Sequence, residues 1–223
     1  MKQSGKKRRR KRRHLFFASF LLLVLALLGI WKEHTEHDYD SEEVICTPNS
    51  IISWEERIRQ EYWYKYEDRL SDLQNGDILL TPCSHTFGWR NGHAAIVIDA
   101  EQGLTLESVV LGTPSTVQSV DKWRKYPGVM VLRLKEAAEE ERCAIADYAA
   151  REMLDVNYGF WGEFAEHIFE EEPQDTHCAH LIWTVYRAFG YDIDGDGGIV
   201  VTPKDISSSS LLEVVESYNV DNW

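Results

Sequence analysis

Cysteine is scarce in this chain of 223 residues, which contains four of them. So few cysteines exclude a small domain held together by a dense disulfide network. Basic residues are also scarce after residue 31, because positions 32–223 carry 15 Lys and Arg against 37 Asp and Glu, a net charge of −22. A body this acidic repels phosphates, so the composition excludes a nucleic-acid-binding protein.

The rest of the composition is typical of a folded protein. Hydrophobic residues make up 43% of the chain, and eight of the residues are Trp. That apolar content supports a buried core and excludes a disordered chain. The length suits one domain of ordinary size with additional segments.

The amino terminus has the pattern of a membrane anchor. Residues 6–13 are all basic, and residues 15–31 follow without a charge. As a helix, these 17 uncharged residues would span about 25 Å, close to the thickness of a bilayer core. We therefore predict a basic cytoplasmic tail (1–14), a transmembrane helix (15–31), an acidic stalk (32–50) and an extracytoplasmic domain (51–223).

A cleaved signal peptide is the alternative for the same segment, and it would make the protein secreted. The apolar run lacks the small-x-small cleavage site of such peptides, which favours the anchor. Outside the cytoplasm disulfides can persist. Two bridges, or one bridge with free thiols, are both compatible with the spacing of Cys46, Cys83, Cys143 and Cys178.

The pattern of apolar residues predicts an α+β domain, in which an antiparallel sheet packs against helices. A Ser-x-x-Glu capping box at residues 53–56 and apolar residues at helical spacing predict a helix that ends at Asn75-Gly76. Gly103 predicts a turn that joins two strands as a hairpin. The predicted strands are 77–80, 93–99, 104–110, 117–120 and 129–134, and the later helices are 136–154 and 177–189.

Cys178 is the candidate nucleophile, because it lies at the start of a predicted helix. The helix dipole and the free N–H groups there favour a thiolate, so its pKa is expected below the ordinary value of about 8.5. His93, which begins a buried strand after Gly92, is the candidate base. Glu107 on the next strand is placed to accept a hydrogen bond from the His93 ring and to stabilise imidazolium.

Four motifs occur in a familiar order: NGDILL at 75–80, GHAAIV at 92–97, LES at 106–108 and CAHLIW at 178–183. In this order the chain resembles the YiiX-like hydrolases, and the resemblance covers about residues 70 to 216. It implies a circularly permuted papain-like (NlpC-type) fold related to NlpC-type cell-wall peptidases and to lecithin retinol acyltransferase. In such a fold Cys178 is the nucleophile, His93 the base and Glu107 the third member.

The resemblance also bears on the neighbours of Cys178. Tyr158 matches a tyrosine that precedes the family's cysteine, and it is expected to bind substrate. Many relatives have Cys-Ser-Glu-Leu where this chain has Cys178-Ala179-His180-Leu181, so an imidazole replaces an acid. This departure concerns substrate preference more than reaction class, and either His180 or His177 is placed to disturb the titration of Cys178.

No metal or cofactor is predicted. Residues 192–197 (DIDGDG) look like the start of a calcium loop, but Pro203 stands where the loop requires a Glu, which favours a solvated loop. The His and Cys residues that zinc could use lack the spacing of a zinc site. They are His85, His93, His167, His177 and His180, with Cys83 and Cys178.

The expected function is that of a membrane-anchored, extracytoplasmic cysteine hydrolase, an amidase or peptidase. The expected partners are the membrane, through residues 15–31, and a small peptide or amide substrate, with peptidoglycan as the candidate source. The backbone N–H of Cys178 is expected to supply part of the oxyanion hole. The alternatives are a lipid-directed acyl hydrolase or acyltransferase, and a binding module without turnover.

Overall fold

The computed structural model describes residues 19–24, 42–86, 88–163 and 175–220. The chain divides into two compact units, Met1–Asp38 and Tyr39–Trp223. In the first unit the described residues, 19–24, are helical. All the strands and helices discussed below belong to the second unit.

The prediction of a single-pass protein of the cell membrane is wrong for the described residues. None of their helices is long and apolar enough to cross a bilayer. Of the predicted anchor, residues 19–24 are described, and they are helical. Residues 15–18 and 25–31 lie outside the described residues, as do the predicted basic tail (1–14) and residues 32–41 of the predicted stalk.

The second unit is built on antiparallel sheet. In chain order the strands are β1 (Val44–Pro48), β2 (Ser53–Ile58), β3 (Ile78–Thr81), β4 (Ser84–Thr86), β5 (His93–Asp99), β6 (Leu104–Glu107), β7 (Thr116–Ser119), β8 (Val129–Leu134), β9 (Asn157–Tyr158), β10 (Asp175–Thr176) and β11 (Leu212–Tyr218). The main sheet has the order β11-β8-β3-β5-β6-β7, and every neighbouring pair in it is antiparallel. A second sheet has the order β1-β2-β4, and β9 pairs with β10 in parallel.

Helices cover one face of the main sheet. They are α1 (Glu139–Glu152), α2 (Cys178–Ala188) and the short α3 (Pro203–Ser207). Strand β5 is buried on both faces, because Ala94 and Ile96 pack in the cluster with α1 and α2, while Ala95 and Val97 pack with residues of the opposite face. This two-sided burial explains the uninterrupted apolar run of β5. The antiparallel sheet and the helices that pack on it confirm the predicted α+β class.

The predicted hairpin is confirmed, since β5 and β6 pair antiparallel around Gly103. The predicted helix that begins at residues 53–56 is wrong, because those residues lie in β2, and a 3-10 helix, Gln60–Lys65, follows. The Ser-x-x-Glu pattern does not form a cap here. Strands β1 and β4 satisfy the backbone of β2, and the Glu56 carboxylate bonds the ring of His85 at 2.9 Å instead.

Part of the range predicted as an acidic stalk (32–50) is folded. Strand β1 lies within that range and pairs with β2 along its whole length, from Val44 opposite Ile58 to Pro48 opposite Trp54. The four cysteines of the chain all lie within the described residues, and none of them forms a disulfide. Neither of the disulfide arrangements left open by the sequence is therefore present.

The Asn75-Gly76-Asp77 turn leads the chain into the central strand β3. Gly76 has a φ of +83°, and a Cβ there would lie 2.9 Å from the carbonyl oxygen of Arg142, so only glycine fits. The Asp77 carboxylate is fully buried and accepts two hydrogen bonds of 2.7 Å from Arg133 on β8. Burial raises the pKa of Asp77 more than Arg133 lowers it, so the pair offsets a desolvation cost.

Replacing Asp77 with Ala is expected to lower the free energy of unfolding by about 1–3 kcal/mol, because Arg133 and the backbone N–H of Gln74 would each lose a hydrogen-bond acceptor. Urea denaturation followed by circular dichroism measures the change. Glu152→Ala, which removes the partner of Arg151 in an exposed pair, is the control and should leave the midpoint unchanged. Equal effects of the two substitutions would contradict this account of the turn.

Candidate active site

His93 occupies the first position of β5, where the chain leaves the left-handed turn at Gly92 (φ +74°). Its backbone is held opposite Thr81 of β3, and its ring stacks on Trp123 with 5.5 Å between centroids. The side chain is 3% exposed. The imidazole is therefore fixed by the sheet on one side and by an aromatic ring on the other.

Glu107 ends β6 and is fully buried beside that imidazole. The β5–β6 register places Glu107 diagonally across from His93, and the ring Nε2–H donates to Oε2 of the carboxylate at 2.8 Å. Trp123 Nε1 and Thr105 Oγ1 each donate to Oε1 at 2.8 Å, and the Lys122 ammonium pairs with Oε2. The buried charge thus has four donors around it.

These donors determine the ionisation of Glu107. Burial raises the pKa of the carboxyl, but the hydrogen bond from His93 and the charge of Lys122 outweigh it and hold the pKa at about 2. Glu107 is therefore a carboxylate across the whole physiological range. A permanent negative charge at this position favours the imidazolium form of His93.

Cys178 is the first residue of α2, as predicted, and it is half-buried. Its sulfur lies close enough to the side chains of His93 and His177 for both imidazoles to stabilise the thiolate and lower its pKa. Because Nε2 of His93 is engaged by Glu107, the nitrogen of His93 that faces the sulfur is Nδ1. The structure therefore brings together the three residues predicted to be catalytic, Cys178, His93 and Glu107.

The electrostatics of this group favour an ion pair. Burial raises the pKa of the Cys178 thiol, but hydrogen bonds from His177 and His93 and their charges lower it to about 6. Burial lowers the pKa of His93, and the hydrogen bonds and charges of Cys178 and Glu107 raise it to about 9. Between about pH 6 and pH 9 the resting site therefore holds a thiolate beside imidazolium.

A second imidazole–carboxylate pair contacts the same sulfur. The ring Nε2 of His177 bonds Oε2 of Glu163 at 2.9 Å, and both residues are buried. The other oxygen of Glu163 accepts the backbone N–H of Val201 at 2.6 Å. Burial lowers the pKa of His177, but Cys178 and Glu163 raise it to about 9.

Glu163 is the functional candidate that the sequence did not indicate. It lies in a stretch without clear periodicity, and its partner His177 is 14 residues further along the chain. His177 itself was noted for its position next to Cys178. The other imidazole noted there, His180, is buried and bonds Thr176 Oγ1 at 3.0 Å. Of these two imidazoles, His177 is the one that influences Cys178.

Tyr158 is brought to the site by the short parallel pair of strands. Its position opposite Thr176 in the β9–β10 register places it beside the start of α2. Burial, and then the charge of Cys178, raise the pKa of its phenol, so it is protonated wherever the thiolate exists. Gly162 allows the close approach of this segment, because a Cβ there would lie 2.0 Å from the carbonyl oxygen of Asp175.

The fold and the site together define an α+β protein with a cysteine, an imidazole and a carboxylate in one buried cluster. No protein-family model matches the sequence, and neither does any curated protein. Among solved structures, the fold is similar to that of the metalloprotein YiiX from Escherichia coli O157:H7, with a TM-score of 0.51 and 16% sequence identity. The match covers 64% of this chain and 96% of that chain. At this identity the likeness concerns the fold alone, and it supports a YiiX-like fold.

A cysteine and two histidines are ligands that zinc accepts, but their arrangement here does not fit a shared ion. Among the described residues, one group of at least three potential ligands has all its atoms within 4.8 Å of one another, and it consists of Asp194, Asp196 and Asp205. Three carboxylates suit a hard cation such as Ca²⁺. Asp205 belongs to α3 and also caps that helix through Thr202, so the sequence pattern at 192–197 did not include it.

The rate at which iodoacetamide alkylates Cys178 is expected to rise with pH around a midpoint near 6, because the reagent reacts with the thiolate. Cys46 provides an internal control in the same sample. It is exposed, but partial burial of its sulfur and the charge of Glu56 raise its pKa above the ordinary value, so its midpoint should lie well above that of Cys178. Peptide mass spectrometry at each pH measures both rates.

His93→Ala should move the midpoint of Cys178 upwards and leave that of Cys46 in place, because one of the two imidazoles at the sulfur is lost. The position of each midpoint is the quantity to compare, since nucleophilicity falls as thiol pKa falls and partly offsets a difference in rates. Coincident midpoints for the two cysteines of the wild-type protein would contradict the ion pair.

Proposed function

We propose that this protein is a cysteine hydrolase that cleaves amides through an acyl-enzyme. The observation that supports this proposal is the position of His93, which interacts with Cys178 and bonds the buried carboxylate of Glu107 at 2.8 Å. Nucleophile, base and orienting carboxylate in that order are the requirements of a catalytic triad, which is recognised by geometry rather than by chain order. The fold likeness to YiiX is compatible with the permuted papain-like fold that belongs to the same proposal.

Acylation begins from the thiolate–imidazolium pair. The electron pair of Cys178 Sγ forms the new S–C bond with the substrate carbonyl, and the C=O π electrons move to the oxygen. The backbone N–H of Cys178, at the free end of α2, donates to this oxyanion. The oxyanion then re-forms the carbonyl, His93 gives its proton to the amide nitrogen, and the C–N bond breaks to release the amine.

Deacylation uses the same residues in reverse order. Neutral His93 takes a proton from water while the water oxygen attacks the thioester carbonyl. Collapse of the second tetrahedral intermediate expels Sγ as thiolate and releases the carboxylic acid. Glu107 remains ionised throughout, because its pKa is held near 2, so it orients the ring and stabilises imidazolium without exchanging a proton.

The substrate class proposed first is a peptide or a similar small amide. Cell-wall peptides are the leading members of that class, because the motifs resemble those of relatives of NlpC-type peptidases. Tyr158 is assigned to substrate binding, since its phenol lies beside Cys178 and keeps its proton at the pH where the thiolate forms. A protonated phenol beside the sulfur is a hydrogen-bond donor for a polar group of the substrate.

A second candidate function is the hydrolysis or transfer of an apolar acyl chain. The observation that favours it is a pair of exposed aromatic residues on the His177 side of the site. The ring of Phe160 lies 5.0 Å from that of His177 and is 50% exposed as a residue, and its neighbour Trp161 is 67% exposed. Exposed aromatic surface of this kind suits a hydrophobic ligand.

Intact mass spectrometry of the full chain under reducing conditions tests both candidates. We expect a cell-wall tetrapeptide amide to release its amine and to leave an acyl adduct on Cys178 that hydroxylamine removes. Cys178→Ala should abolish turnover and the adduct, whereas Cys143→Ala, which removes a half-buried thiol elsewhere, should retain both. Turnover of a micellar long-chain ester alone would favour the second candidate.

Unchanged turnover by Cys178→Ala would overturn the proposed chemistry. A protein that binds these compounds but forms no adduct would instead be a binding module.

Glu107→Gln is expected to lower kcat by a factor on the order of 10² to 10⁴, because the amide carries no charge to stabilise the His93 imidazolium. The alkaline limb of the kcat profile should also move to lower pH, since the pKa of His93 is raised in part by Glu107. Glu56→Gln is the matched control. Its carboxylate is also buried and also bonds an imidazole, but that imidazole is His85, at 2.9 Å, rather than His93. Equal losses of kcat in the two variants would show that removing any buried charge, rather than removing the bond to His93, lowers the rate.

A further inference from the structure

The reacting sulfur has two imidazole–carboxylate pairs, whereas acyl transfer through the proposed triad uses one of them. His177 is 5% exposed and Glu163 is fully buried, much as His93 and Glu107 are. The imidazole–carboxylate distances are 2.9 Å and 2.8 Å. Because Glu163 holds Nε2 of His177, the nitrogen that faces Cys178 is Nδ1. The second pair therefore needs a role of its own.

We propose that His177 is a catalytic residue, whose Nδ1–H donates to the oxyanion that forms when Cys178 attacks a carbonyl. It acts beside the backbone N–H of Cys178, and the two groups together make the oxyanion hole. Glu163 is the positioning residue that holds the His177 ring. The inference rests on the proposed function, since an oxyanion forms only if the protein catalyses acyl transfer.

The placement of His177 supports this role over that of a second base. His177 is the N-cap of α2 and shares a peptide bond with Cys178, so its side chain starts from the same helix end as the backbone N–H donor. His93 reaches the sulfur from β5 instead. Both rings interact with the sulfur, but the three ligand atoms do not all fall within 4.8 Å of one another, so the rings approach it from different directions. If the leaving group lies on the side of His93 and the oxyanion on the side of His177, the N–H of each ring has an acceptor.

The movement of charge during acylation fits a donor that never gives up its proton. In the resting site the His177 N–H faces the thiolate. As Sγ forms its bond to carbon, the negative charge passes from the sulfur to the carbonyl oxygen, which is attached to the attacked carbon. The same N–H can then bond the oxygen. His93 transfers a proton to the leaving group and recovers it from water, while His177 remains imidazolium, so protons and electrons balance over the cycle.

The carboxylate of Glu163 stabilises the imidazolium form of His177. One of its oxygens is held by the backbone N–H of Val201, and the other bonds the His177 ring. Such a pairing fixes the orientation of the ring and stabilises its imidazolium form, in which both ring nitrogens carry a proton. Preorganised donors of this kind stabilise a transition state without reorganising when charge develops.

Two reactions of Cys178 separate the proposed role from simple stabilisation of the thiolate. Alkylation by iodoacetamide displaces iodide and forms no oxyanion, whereas acylation by p-nitrophenyl acetate passes through one. For each variant, both rates are measured across pH and divided by the thiolate fraction taken from the alkylation curve. We expect His177→Ala to leave the corrected alkylation rate within about threefold, and to lower corrected acylation by a factor on the order of 10².

Three further variants sharpen the test. His177→Gln keeps a neutral N–H donor and should recover part of the acylation rate without restoring the low thiol midpoint. Glu163→Gln should give a smaller loss in acylation, because the ring remains but its orientation and charge are less secure. His180→Gln is the matched control, since that ring bonds Thr176, and it should change neither corrected rate. Circular dichroism establishes that each variant is folded, and Glu163→Gln carries the test if His177→Ala is not.

Equal losses of corrected alkylation and acylation in His177→Ala would overturn the inference, because they would assign His177 to the thiolate alone. Failure of His177→Gln to exceed His177→Ala in acylation would also count against a donor role. Failure of the proposed function itself would give a different result. If wild-type Cys178 shows a low alkylation midpoint but is never acylated, the hydrolase proposal falls, and this inference falls with it.

Discussion

The burial of one negative charge organises the described structure around the site. Glu107 lies out of water, so its carboxylate must be paired, and its partners come from three parts of the chain. His93 donates from β5, Thr105 from β6 itself, and Lys122 and Trp123 from the 3-10 helix Val120–Lys125, which follows β7. Each donor that satisfies Glu107 also holds an element in place, so the packing of the sheet and the basicity of His93 have the same origin.

The parts of this arrangement that depend on local pattern were predictable from the sequence. The apolar run of β5, the Gly103 turn and the N-terminal position of Cys178 on its helix follow from periodicity and from turn and helix-end chemistry. Because these local features place Cys178, His93 and Glu107, the proposed triad could be assembled before the fold was known. The β5–β6 register, which sets the distance between His93 and Glu107, is a consequence of that hairpin.

What the sequence did not reveal depends on tertiary contacts. Residues 53–58 carry a helix-capping pattern, yet pairing with β1 and β4 satisfies their backbone and makes them a strand. The sequence around Glu163 does not indicate its role, because that role depends on hydrogen bonds with His177 and Val201. Only folding brings these residues to it. Asp205 likewise joins Asp194 and Asp196 only through the position of α3. Propensity is a weak guide wherever a distant partner decides the outcome.

The sequence order of the site has a consequence for the life of the chain before it is folded. The low pKa of Cys178 arises from imidazoles supplied by β5 and by the N-cap of α2, each held by a carboxylate from another segment. During synthesis His93 and Glu107 emerge well before the sulfur, and an unfolded Cys178 has the pKa of an ordinary thiol. In the nascent or denatured protein the side chain of Cys178 is thus mostly a protonated thiol at neutral pH. Its pKa falls, and the thiolate forms, only when distant segments have met. Reactivity of this cysteine is accordingly a property of the tertiary structure and serves as a direct report of native assembly.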